Sequence, residues 1–496
     1  MKTHRVGKVL SAMLLPMEER IAGRMFSLAV RFTHPRQPRN LMIPDELRHR
    51  LREHGHDHVL EGVESMSPAE RANFVRDLER IDLAELKTLH GKREQKDALP
   101  DRSRIAPLPQ PTMTDEESRE FLDAGMNAVL SGKVAYLVVA GGQGTRLGFD
   151  HPKGMFPIGP VSKKSLFQIL AEKVLALHRL AGKPVPLLVM TSPATDAETR
   201  LYFRRKNFFR LPPQDVWFFC QGTMPAVDLD SGKLLLEAPG KLCLSPNGHG
   251  GTITGLRDAG ILDRLGSMDI ETIYYFQVDN PLVQLADYIF IGRHLCARAE
   301  VSSKVLPKTG PKEKVGNFLL VDGRCSMIEY SDLPDDWANE TDESGNLRFW
   351  AGNPAIHLLD VPFLYKIASD AERLPWHLAR KKVPHAGDAD PAQENALKFE
   401  RFIFDILPQA ERWTVLSTPR EEEFAPVKNK EGVDSPASAR ALMCAQAARW
   451  LKSIGIDVPE GGKVEISPLF ALSEADMKNR RIPPLVRNTY LKEPQS

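Results

Sequence analysis

Residues suited to binding phosphate are concentrated between positions 134 and 154, in the stretch VAYLVVAGGQGTRLGFDHPKG. An apolar run leads into a loop that contains Gly141, Gly142, Gly144 and Gly148. Glycine lets backbone amides approach an anion closely, and the basic residues Arg146 and Lys153 follow in the same loop. Amides, a guanidinium and an ammonium so close together suit a triphosphate whose charge shifts during a reaction.

Two widespread nucleotide-binding fingerprints fail in this loop. The Walker sequence needs Gly-Lys-Ser/Thr, but Phe149 follows Gly148. The dinucleotide fingerprint G-x-G-x-x-G needs a glycine where Leu147 stands. It also needs an acidic residue about twenty positions on. No acidic residue stands there, since the first candidate is Glu172. An oxidoreductase that binds NAD is therefore disfavoured.

Asp279 ends a second apolar run, ETIYYFQVDN. A carboxylate at the point where a buried strand meets a loop suits Mg²⁺, which takes oxygen ligands from one or two carboxylates and from phosphate. The alternative is a helix N-cap, but Pro281 and Asp287 offer the following helix other starts. We interpret Asp279 as a metal ligand.

Apolar runs alternating with helical patterns must position these residues. We expect strands over residues 186–190, 216–220, 272–278, 299–306, 317–321 and 413–416, and helices over 166–180, 197–206, 255–265 and 287–299. Such alternation over about 300 residues predicts an α/β domain with a doubly wound, mostly parallel sheet. Ligands of such sheets bind at the carboxyl ends of the strands.

Four parts are predicted along the chain. They are a basic extension over 1–40, a helical domain with a linker over 41–112, a catalytic domain over 113–435 and a small C-terminal module over 436–496. The acid-poor extension suits targeting or binding to a surface such as a membrane. A disordered extension, or a true start near Met25 or Met42, is the preferred interpretation. His54, His56 and His58 are expected on a solvated helix face rather than around a metal.

The overall composition excludes several classes of protein. Lys plus Arg number 66 and Asp plus Glu 65, so no net charge favours nucleic acid or a membrane surface. No run approaches the roughly 18 apolar residues of a membrane helix. The five cysteines lack a C-x-x-C pair, which indicates reduced thiols in a cytoplasmic protein. The sequence does not indicate the oligomeric state.

Nine motifs in a fixed order resemble those of the sugar nucleotidyltransferases, and more narrowly the eukaryotic-type UDP-N-acetylglucosamine pyrophosphorylases and their UDP-sugar relatives. The motifs are AGGQGTRLG, HPKGM, FFCQGTMPA, SPNGHGG, VDN, IEYSDL, AGNPAIH, LKFERFIFDI and EEEFAPVKN. The resemblance extends from about Leu41 to Leu469. It implies a Rossmann-like fold of the nucleotide-diphospho-sugar transferase type. It also implies that UTP and a sugar 1-phosphate react with Mg²⁺ to give a UDP-sugar and pyrophosphate.

The resemblance assigns a role to each motif residue. It implies catalytic roles for Arg146, Lys153 and Lys428, and metal binding by Asp279 and Asp405. The residues that it implies for nucleotide binding are Gly141, Gly142, Gly144, Gln221, Gly248, His249 and Lys398. Those that it implies for sugar binding are Gly316, Glu329 and Asn353. The side-chain amide of Gln221 can both donate to and accept from the edge of uracil. The sugar phosphate is already an anion at neutral pH, so the reaction requires no general base.

His249 is the one departure from the nearest relatives, which typically have asparagine in this loop, whereas UDP-glucose enzymes have histidine in a similar one. N-acetylglucosamine 1-phosphate is favoured by Glu329 and Asn353. Glucose 1-phosphate, or a broad choice of sugars, is the alternative that His249 leaves open. A non-catalytic protein that binds sugar nucleotides is a third hypothesis, but it would be expected to have lost Arg146, Lys153 or Asp279.

Overall fold

The computed structural model describes residues 43–95, 99–370 and 373–493. The basic extension predicted for residues 1–40 therefore lies outside the described residues. Within the described ranges, no helix combines the length and the apolar character needed to cross a membrane.

Helices and strands alternate along most of the chain. The α-helices found in the described ranges are α1 (Asp45–Glu53), α2 (Pro68–Glu79), α3 (Leu83–Gly91), α4 (Asp115–Leu130), α5 (Leu166–Ala181), α6 (Asp196–Arg205), α7 (Gly251–Asp258), α8 (Ile261–Ser267), α9 (Tyr288–Cys296), α10 (Asp335–Ala338), α11 (Val361–Ala368), α12 (Arg420–Glu423), α13 (Pro436–Ser453) and α14 (Glu474–Met477). The strands in the same ranges are β1 (Ile105–Pro107), β2 (Val134–Val139), β3 (Leu187–Thr191), β4 (Val216–Cys220), β5 (Thr223–Pro225), β6 (Val227–Asp228), β7 (Leu236–Ala238), β8 (Lys241–Leu242), β9 (Leu244–Pro246), β10 (Thr272–Gln277), β11 (Val301–Pro307), β12 (Asn317–Val321), β13 (Arg324–Ile328), β14 (Ala351–Gly352), β15 (His357–Asp360), β16 (His377–Lys381), β17 (Ala396–Glu400), β18 (Trp413–Ser417), β19 (Lys463–Ile466) and β20 (Asn488–Leu491).

The largest sheet of the described chain has 11 strands, in the order β1-β12-β14-β11-β15-β10-β2-β3-β4, with β13 paired to β12 and β18 to β11. Strands β10, β2, β3 and β4 are parallel neighbours, and β15 lies antiparallel between β10 and β11. The carboxyl ends of β2, β4 and β10 therefore open at one edge of the sheet, directly before the glycine loop, Gln221 and Asp279.

Side chains of β2 alternate between two apolar cores, one on each face of the sheet. Tyr136 and Val138 belong to the core that includes α5, whereas Ala135 and Leu137 belong to the core that includes α7 and α8. Every residue of β2 is buried, as expected for a strand covered by helices on both faces. This layering confirms the predicted α/β architecture with its mostly parallel central sheet.

The helix predicted over 255–265 is wrong in its extent. Two helices, α7 and α8, occupy this region, and Gly260 between them has a left-handed φ of 65°. A residue in that conformation cannot continue a right-handed helix, so the path breaks there. The start predicted at Asp287 is confirmed, since its side chain accepts a hydrogen bond from the Phe290 amide and caps α9.

The first three helices pack on the small sheet β16-β17-β6. Their core joins Leu51, Phe74 and Leu78 to Val227 and Phe399. Helix α2 begins with the predicted capping box, in which Ser67 and Glu70 exchange hydrogen bonds.

The solvated face predicted for the three histidines is wrong. Helix α1 already ends at Glu53, and packing against the small sheet leaves His56 only 5% exposed. Its Nδ1 accepts a hydrogen bond from the Leu234 amide at 3.3 Å, and His58 Nε2 lies 2.9 Å from the Leu234 carbonyl oxygen. These contacts join the segment after α1 to the backbone of Leu234.

The C-terminal residues build a small core of their own. Helix α13, helix α14 and the parallel pair β19 and β20 enclose Trp450, Val464 and Phe470. The buried side chain of Glu465 accepts hydrogen bonds from the amides of Val161 and Ser162 at 2.8 and 2.7 Å. These bonds fasten the C-terminal residues to the loop before α5. The boundaries at residues 40, 112 and 435 stay predictions.

Candidate active site

The glycine loop leaves the sheet at the end of β2 and folds back on itself. The Gly144 amide donates to the His151 carbonyl at 2.9 Å, and the Lys153 amide donates to the Gly142 carbonyl at 3.0 Å. A Cβ at Gly144 would lie 2.6 Å from the Phe149 carbonyl oxygen, so this position has room only for glycine. The fold of the loop therefore brings Lys153 back beside its own first glycines.

Arg146 occupies a short 3₁₀ turn (Thr145–Leu147) within this loop. The residue is exposed, and none of the hydrogen bonds or ion pairs of the described chain involves its guanidinium. A guanidinium without a protein partner can form a two-pronged contact with phosphate. The turn therefore leaves the guanidinium of Arg146 exposed and available to a ligand.

Gln221 meets the glycine loop at the end of β4. The residue is 8% exposed, and its Oε1 would lie 3.0 Å from a Cβ added at Gly141. The Gly141 carbonyl also accepts a hydrogen bond from the Ser192 hydroxyl at 2.7 Å. Gly141 is thus held between β3 and β4, and the amide of Gln221 borders the start of the loop.

Asn247 organises the SPNGHGG loop, although the sequence analysis did not select it. Its side chain lies between two glycines, and a Cβ at Gly222 would come within 2.7 Å of its Nδ2. Gly251 has no room for a Cβ for the same reason. The only sequence signal was the position of Asn247 inside a motif that was already recognised.

Gly248 and His249 are held against the chain around residue 401. Gly248 has a φ of 83°, which favours glycine, and a Cβ there would overlap the Arg401 carbonyl oxygen. His249 Nδ1 accepts a hydrogen bond from the Ile403 amide at 3.1 Å. Its ring stacks on Phe402 with centroids 5.3 Å apart. Burial lowers the pKa of His249 to about 4, with a smaller effect from His377, so its ring is neutral at physiological pH.

Asp279 follows β10 and contacts the glycine loop. Its Oδ2 lies 3.4 Å from Lys153 Nζ, and both side chains are partly exposed. The Asp279 carbonyl accepts a hydrogen bond from the Val427 amide at 3.0 Å. Lys428 is therefore attached beside Asp279, and its Nζ lies 3.4 Å from Asp434 Oδ2. Lys153, Asp279 and the segment that contains Lys428 thus come together from three distant parts of the sequence.

The three predicted sugar-binding residues meet at one point of the antiparallel part of the sheet. Asn317, the first residue of β12, pairs with Ile328 of β13 and with Gly352 of β14. Gly316, Glu329 and Asn353 each adjoin one of these paired residues. The Asn353 amide also donates to the Gly316 carbonyl at 2.9 Å.

The surroundings of Glu329 include two basic residues. Burial raises its pKa, and Asp332 acts in the same direction, whereas Lys428 and His377 act against the shift. Because these effects need proximity, Glu329 lies within the electrostatic reach of Lys428.

Asp405 and Lys398 have other surroundings. Asp405 Oδ2 lies 2.9 Å from His377 Nε2 and accepts a hydrogen bond from the Phe402 amide at 3.2 Å. Lys398 lies on β17, opposite Ala379 of β16. None of the hydrogen bonds or ion pairs in the described chain joins Lys398 to Lys153 or Asp279.

One carboxylate of the site is suited to a divalent metal. The described residues contain no group of three or more His, Cys, Asp or Glu side chains that could hold a metal ion by themselves. Mg²⁺ commonly binds through one or two carboxylates together with phosphate oxygens of the substrate. Asp279, which is partly exposed beside the glycine loop, fits that pattern of a metal arriving with its nucleotide.

Several known proteins resemble this chain in sequence. A family model described as UTP–glucose-1-phosphate uridylyltransferase matches residues 85–473. The chain is 36% identical over 449 residues to UDP-N-acetylglucosamine diphosphorylase 2 of Arabidopsis thaliana, covering 85% of this chain and 88% of that protein. It is 35% identical over 382 residues to UDP-N-acetylglucosamine pyrophosphorylase of Saccharomyces cerevisiae, covering 73% and 80%.

A solved structure extends the similarity to the fold. The uridine diphosphate N-acetylglucosamine pyrophosphorylase from Trypanosoma brucei, solved in complex with an inhibitor, matches with a TM-score of 0.79 at 28% sequence identity. The match covers 91% of this chain and 99% of that one. Nucleotidyltransferases of this type generally use a divalent metal.

Proposed function

We propose a sugar substrate and a set of residue roles for this chain, which belongs to the UTP–glucose-1-phosphate uridylyltransferase family. It is a UTP–sugar-1-phosphate uridylyltransferase, and its preferred sugar is N-acetylglucosamine 1-phosphate. The observation that carries the proposal is the meeting of Lys153, Asp279 and the segment of Lys428 at the carboxyl edge of the parallel strands.

The reaction is an in-line displacement at phosphorus. An oxygen of the sugar 1-phosphate attacks the α-phosphorus of UTP, the bond from that phosphorus to the bridging oxygen breaks, and pyrophosphate leaves with the bond electrons. The attacking phosphate oxygen is already ionised at neutral pH, so no side chain needs to take a proton. Catalysis must come from positioning two polyanions and from stabilising the charge on the leaving group.

The phosphate side supplies the positive charge. Arg146 holds the departing pyrophosphate, and the amides of Gly141, Gly142 and Gly144 surround the same phosphates. Lys153 and Lys428 neutralise the reacting phosphates. The prediction that Lys398 also contacts the nucleotide phosphates is supported by its motif alone.

Mg²⁺ is the proposed metal, and Asp279 is the residue that would hold it. Such an ion bound to the triphosphate would neutralise its charge and polarise its phosphoryl oxygens. The second predicted ligand, Asp405, is a weaker candidate because its Oδ2 already has two partners.

The base and the sugar are held by polar groups around this centre. Gln221 reads the edge of uracil together with the backbone of Gly248, which the proximity of Gln221 to Gly141 supports. Glu329 and Asn353 bind hydroxyl groups of the hexose, and Gly316 lets the backbone approach it. His249 borders the nucleotide or the sugar from the SPNGHGG loop. The cytoplasmic location stays a prediction from the cysteines, all five of which are free.

A panel of sugar 1-phosphates tests the substrate. The purified full chain is incubated with UTP, Mg²⁺ and the 1-phosphates of N-acetylglucosamine, N-acetylgalactosamine, glucose and galactose, and released pyrophosphate is measured. We expect the highest kcat/KM with N-acetylglucosamine 1-phosphate, and little release when another nucleoside triphosphate replaces UTP.

Two other outcomes have clear meanings. An equal or higher kcat/KM with glucose 1-phosphate would replace the proposed sugar with the alternative that His249 suggests. A rate that does not depend on added Mg²⁺ after treatment with a chelator would contradict the proposed role of the metal.

A further inference from the structure

A buried group of charges lies behind the phosphate side of the active site. Lys304, on β11, has a side chain with 0% exposure, and its Nζ lies 2.7 Å from both Glu423 Oε2 and Asp287 Oδ2. Burial alone would lower the pKa of Lys304, but the two carboxylates raise it well above the ordinary value. One ammonium is thus held, charged, between two carboxylates inside the protein.

This group is connected to the segment that follows Asp279. Glu423 Oε1 accepts a hydrogen bond from the Gln284 amide at 2.9 Å, and the Glu423 carbonyl accepts one from Asn280 Nδ2 at 2.8 Å. Asn280 Oδ1 in turn accepts from the Ala425 amide at 3.0 Å. Residues 280–284 are therefore tied to residues 423–425.

The same two segments lead directly to two residues of the proposed active site. Asn280 directly follows Asp279, and Val427, whose amide donates to the Asp279 carbonyl, directly precedes Lys428. Asp287 also caps helix α9. A displacement of Glu423 or Asp287 would therefore move the backbone that sets the distance between the Asp279 carboxylate and the Lys428 ammonium.

We infer that Lys304 is a positioning residue, whose ammonium group locks Glu423 and Asp287 together and so fixes Asp279 and Lys428 for catalysis. The inference rests on the proposed roles of Asp279 and Lys428. Well-packed apolar residues can often replace a buried ion group without loss of stability. The ammonium of Lys304 is fully enclosed, and the hydrogen bonds of its partners lead to two site residues. Its presence is therefore explained better by the positioning of those residues than by stability alone.

The test compares two variants of the group with a matched control. Lys304→Met removes the cation, and Glu423→Gln removes one carboxylate while leaving the pair of Lys304 and Asp287 balanced. The control is Lys164→Met, which breaks another pair with a buried carboxylate, Lys164 Nζ to Glu172 Oε2 at 2.6 Å. Neither residue of that pair belongs to the proposed active site.

Hydrogen exchange and kinetics are measured on each full-length variant below its unfolding temperature. We expect amide exchange to speed up in residues 280–284 and 423–427 of both test variants, with the rest of the chain unchanged. We also expect kcat to fall by about tenfold or more, because small displacements of reacting groups are costly, while KM for UTP changes little. Lys164→Met should keep the wild-type kcat and local exchange.

The outcomes separate positioning from simple stabilisation. If Lys304→Met does not fold, Glu423→Gln decides the question, since it leaves Lys304 and Asp287 as a balanced buried pair. Variants that lose thermal stability as Lys164→Met does, but keep kcat and local exchange, would overturn the inference. If the wild-type chain were inactive with every sugar 1-phosphate, the proposed function would fail, yet the exchange measurement would still show whether Lys304 fixes these segments.

Discussion

The proposed phosphate side and sugar side of the active site are built in different ways. On the phosphate side, loops that leave parallel strands present side chains such as Arg146, which is exposed and has no partner in the described chain. On the sugar side, Gly316, Glu329 and Asn353 are fixed by the pairing of Asn317 with two antiparallel neighbours. Charged side chains therefore shape the phosphate side, and the register of backbone pairing fixes the sugar side.

The difference follows from what each ligand requires. A triphosphate carries several charges whose distribution changes during the reaction, so cations at the mouth of the site stabilise the transition state most strongly. A hexose is neutral apart from its phosphate, so its recognition depends on hydrogen bonds of fixed geometry. Variants on the phosphate side should therefore reduce kcat, and variants on the sugar side should raise the KM of the sugar.

Arg146→Ala should have the largest effect. Removing a group that stabilises charge in the transition state costs about 2.7–4 kcal/mol, which is about 100- to 1,000-fold in kcat. KM for the sugar 1-phosphate should change little, and Arg205→Ala, which removes an exposed arginine of helix α6, should keep full activity. Steady-state kinetics with unchanged kcat would remove Arg146 from the mechanism.

Glu329→Gln should have the next largest effect, on the sugar side. The loss of a charged hydrogen-bond acceptor should raise KM for the sugar about 10- to 100-fold, with kcat and KM for UTP nearly constant. Glu343→Gln, at an exposed position between α10 and β14, is the matched control. A fall in kcat without a change in KM would place Glu329 on the phosphate side of the comparison.

The raised pKa of Glu329 adds a dependence on pH. The pKa of Glu329 is higher in the folded protein than in the unfolded chain, so ionisation of its side chain lowers the stability of the folded protein. This loss of stability develops as the pH rises through the raised pKa. Glu329→Gln should therefore be at least as stable as the wild type at pH 7, by thermal unfolding, despite its weaker sugar binding. The wild-type KM for the sugar should rise as pH falls through the same raised pKa.

The glycine loop offers a comparison within the phosphate side. A Cβ at Gly144 would lie 2.6 Å from a backbone oxygen, whereas a Cβ at Gly142 would have nothing within 4 Å. Gly144→Ala should therefore destabilise the protein by about 1–3 kcal/mol, measured by calorimetry. Gly142→Ala should unfold at the wild-type temperature and change only UTP binding. Equal losses of stability in the two variants would contradict the folded-back loop.

The phosphate side could be predicted from the sequence better than the sugar side. Gln221 and Asp279 follow recognisable apolar strands, so their position at one sheet edge followed from the α/β pattern. The insertion of the antiparallel strand β15 and the double pairing of Asn317 depend on contacts between distant segments, which no local pattern records. Only the resemblance pointed to the sugar-binding residues, and the register explains how they meet.

The buried charges illustrate what local patterns omit. Lys304 is one lysine in the strand predicted over 299–306, and only the fold brings it to Glu423 and Asp287. For the same reason, the sequence did not reveal that His377 already contacts Asp405. Partners that are far apart in the chain decide whether a charged residue is structural or available to a ligand.

His249, which we propose borders the nucleotide or the sugar, should give the smallest effect. Its ring stacks on Phe402, and its Nδ1 accepts a hydrogen bond from Ile403, so the neutral ring can offer only the Nε2 hydrogen to a ligand. An asparagine at position 249 could offer a donor and an acceptor.

We expect His249→Asn to raise the ratio of kcat/KM for N-acetylglucosamine 1-phosphate over glucose 1-phosphate by about 3- to 10-fold, the value of one hydrogen bond. His249→Phe is the control, because it keeps the ring and removes both nitrogens. The same shift in both variants would mean that the loss of the imidazole, rather than the amide of the new asparagine, changes the choice of sugar. An unchanged ratio together with a higher KM for UTP would place His249 entirely on the phosphate side.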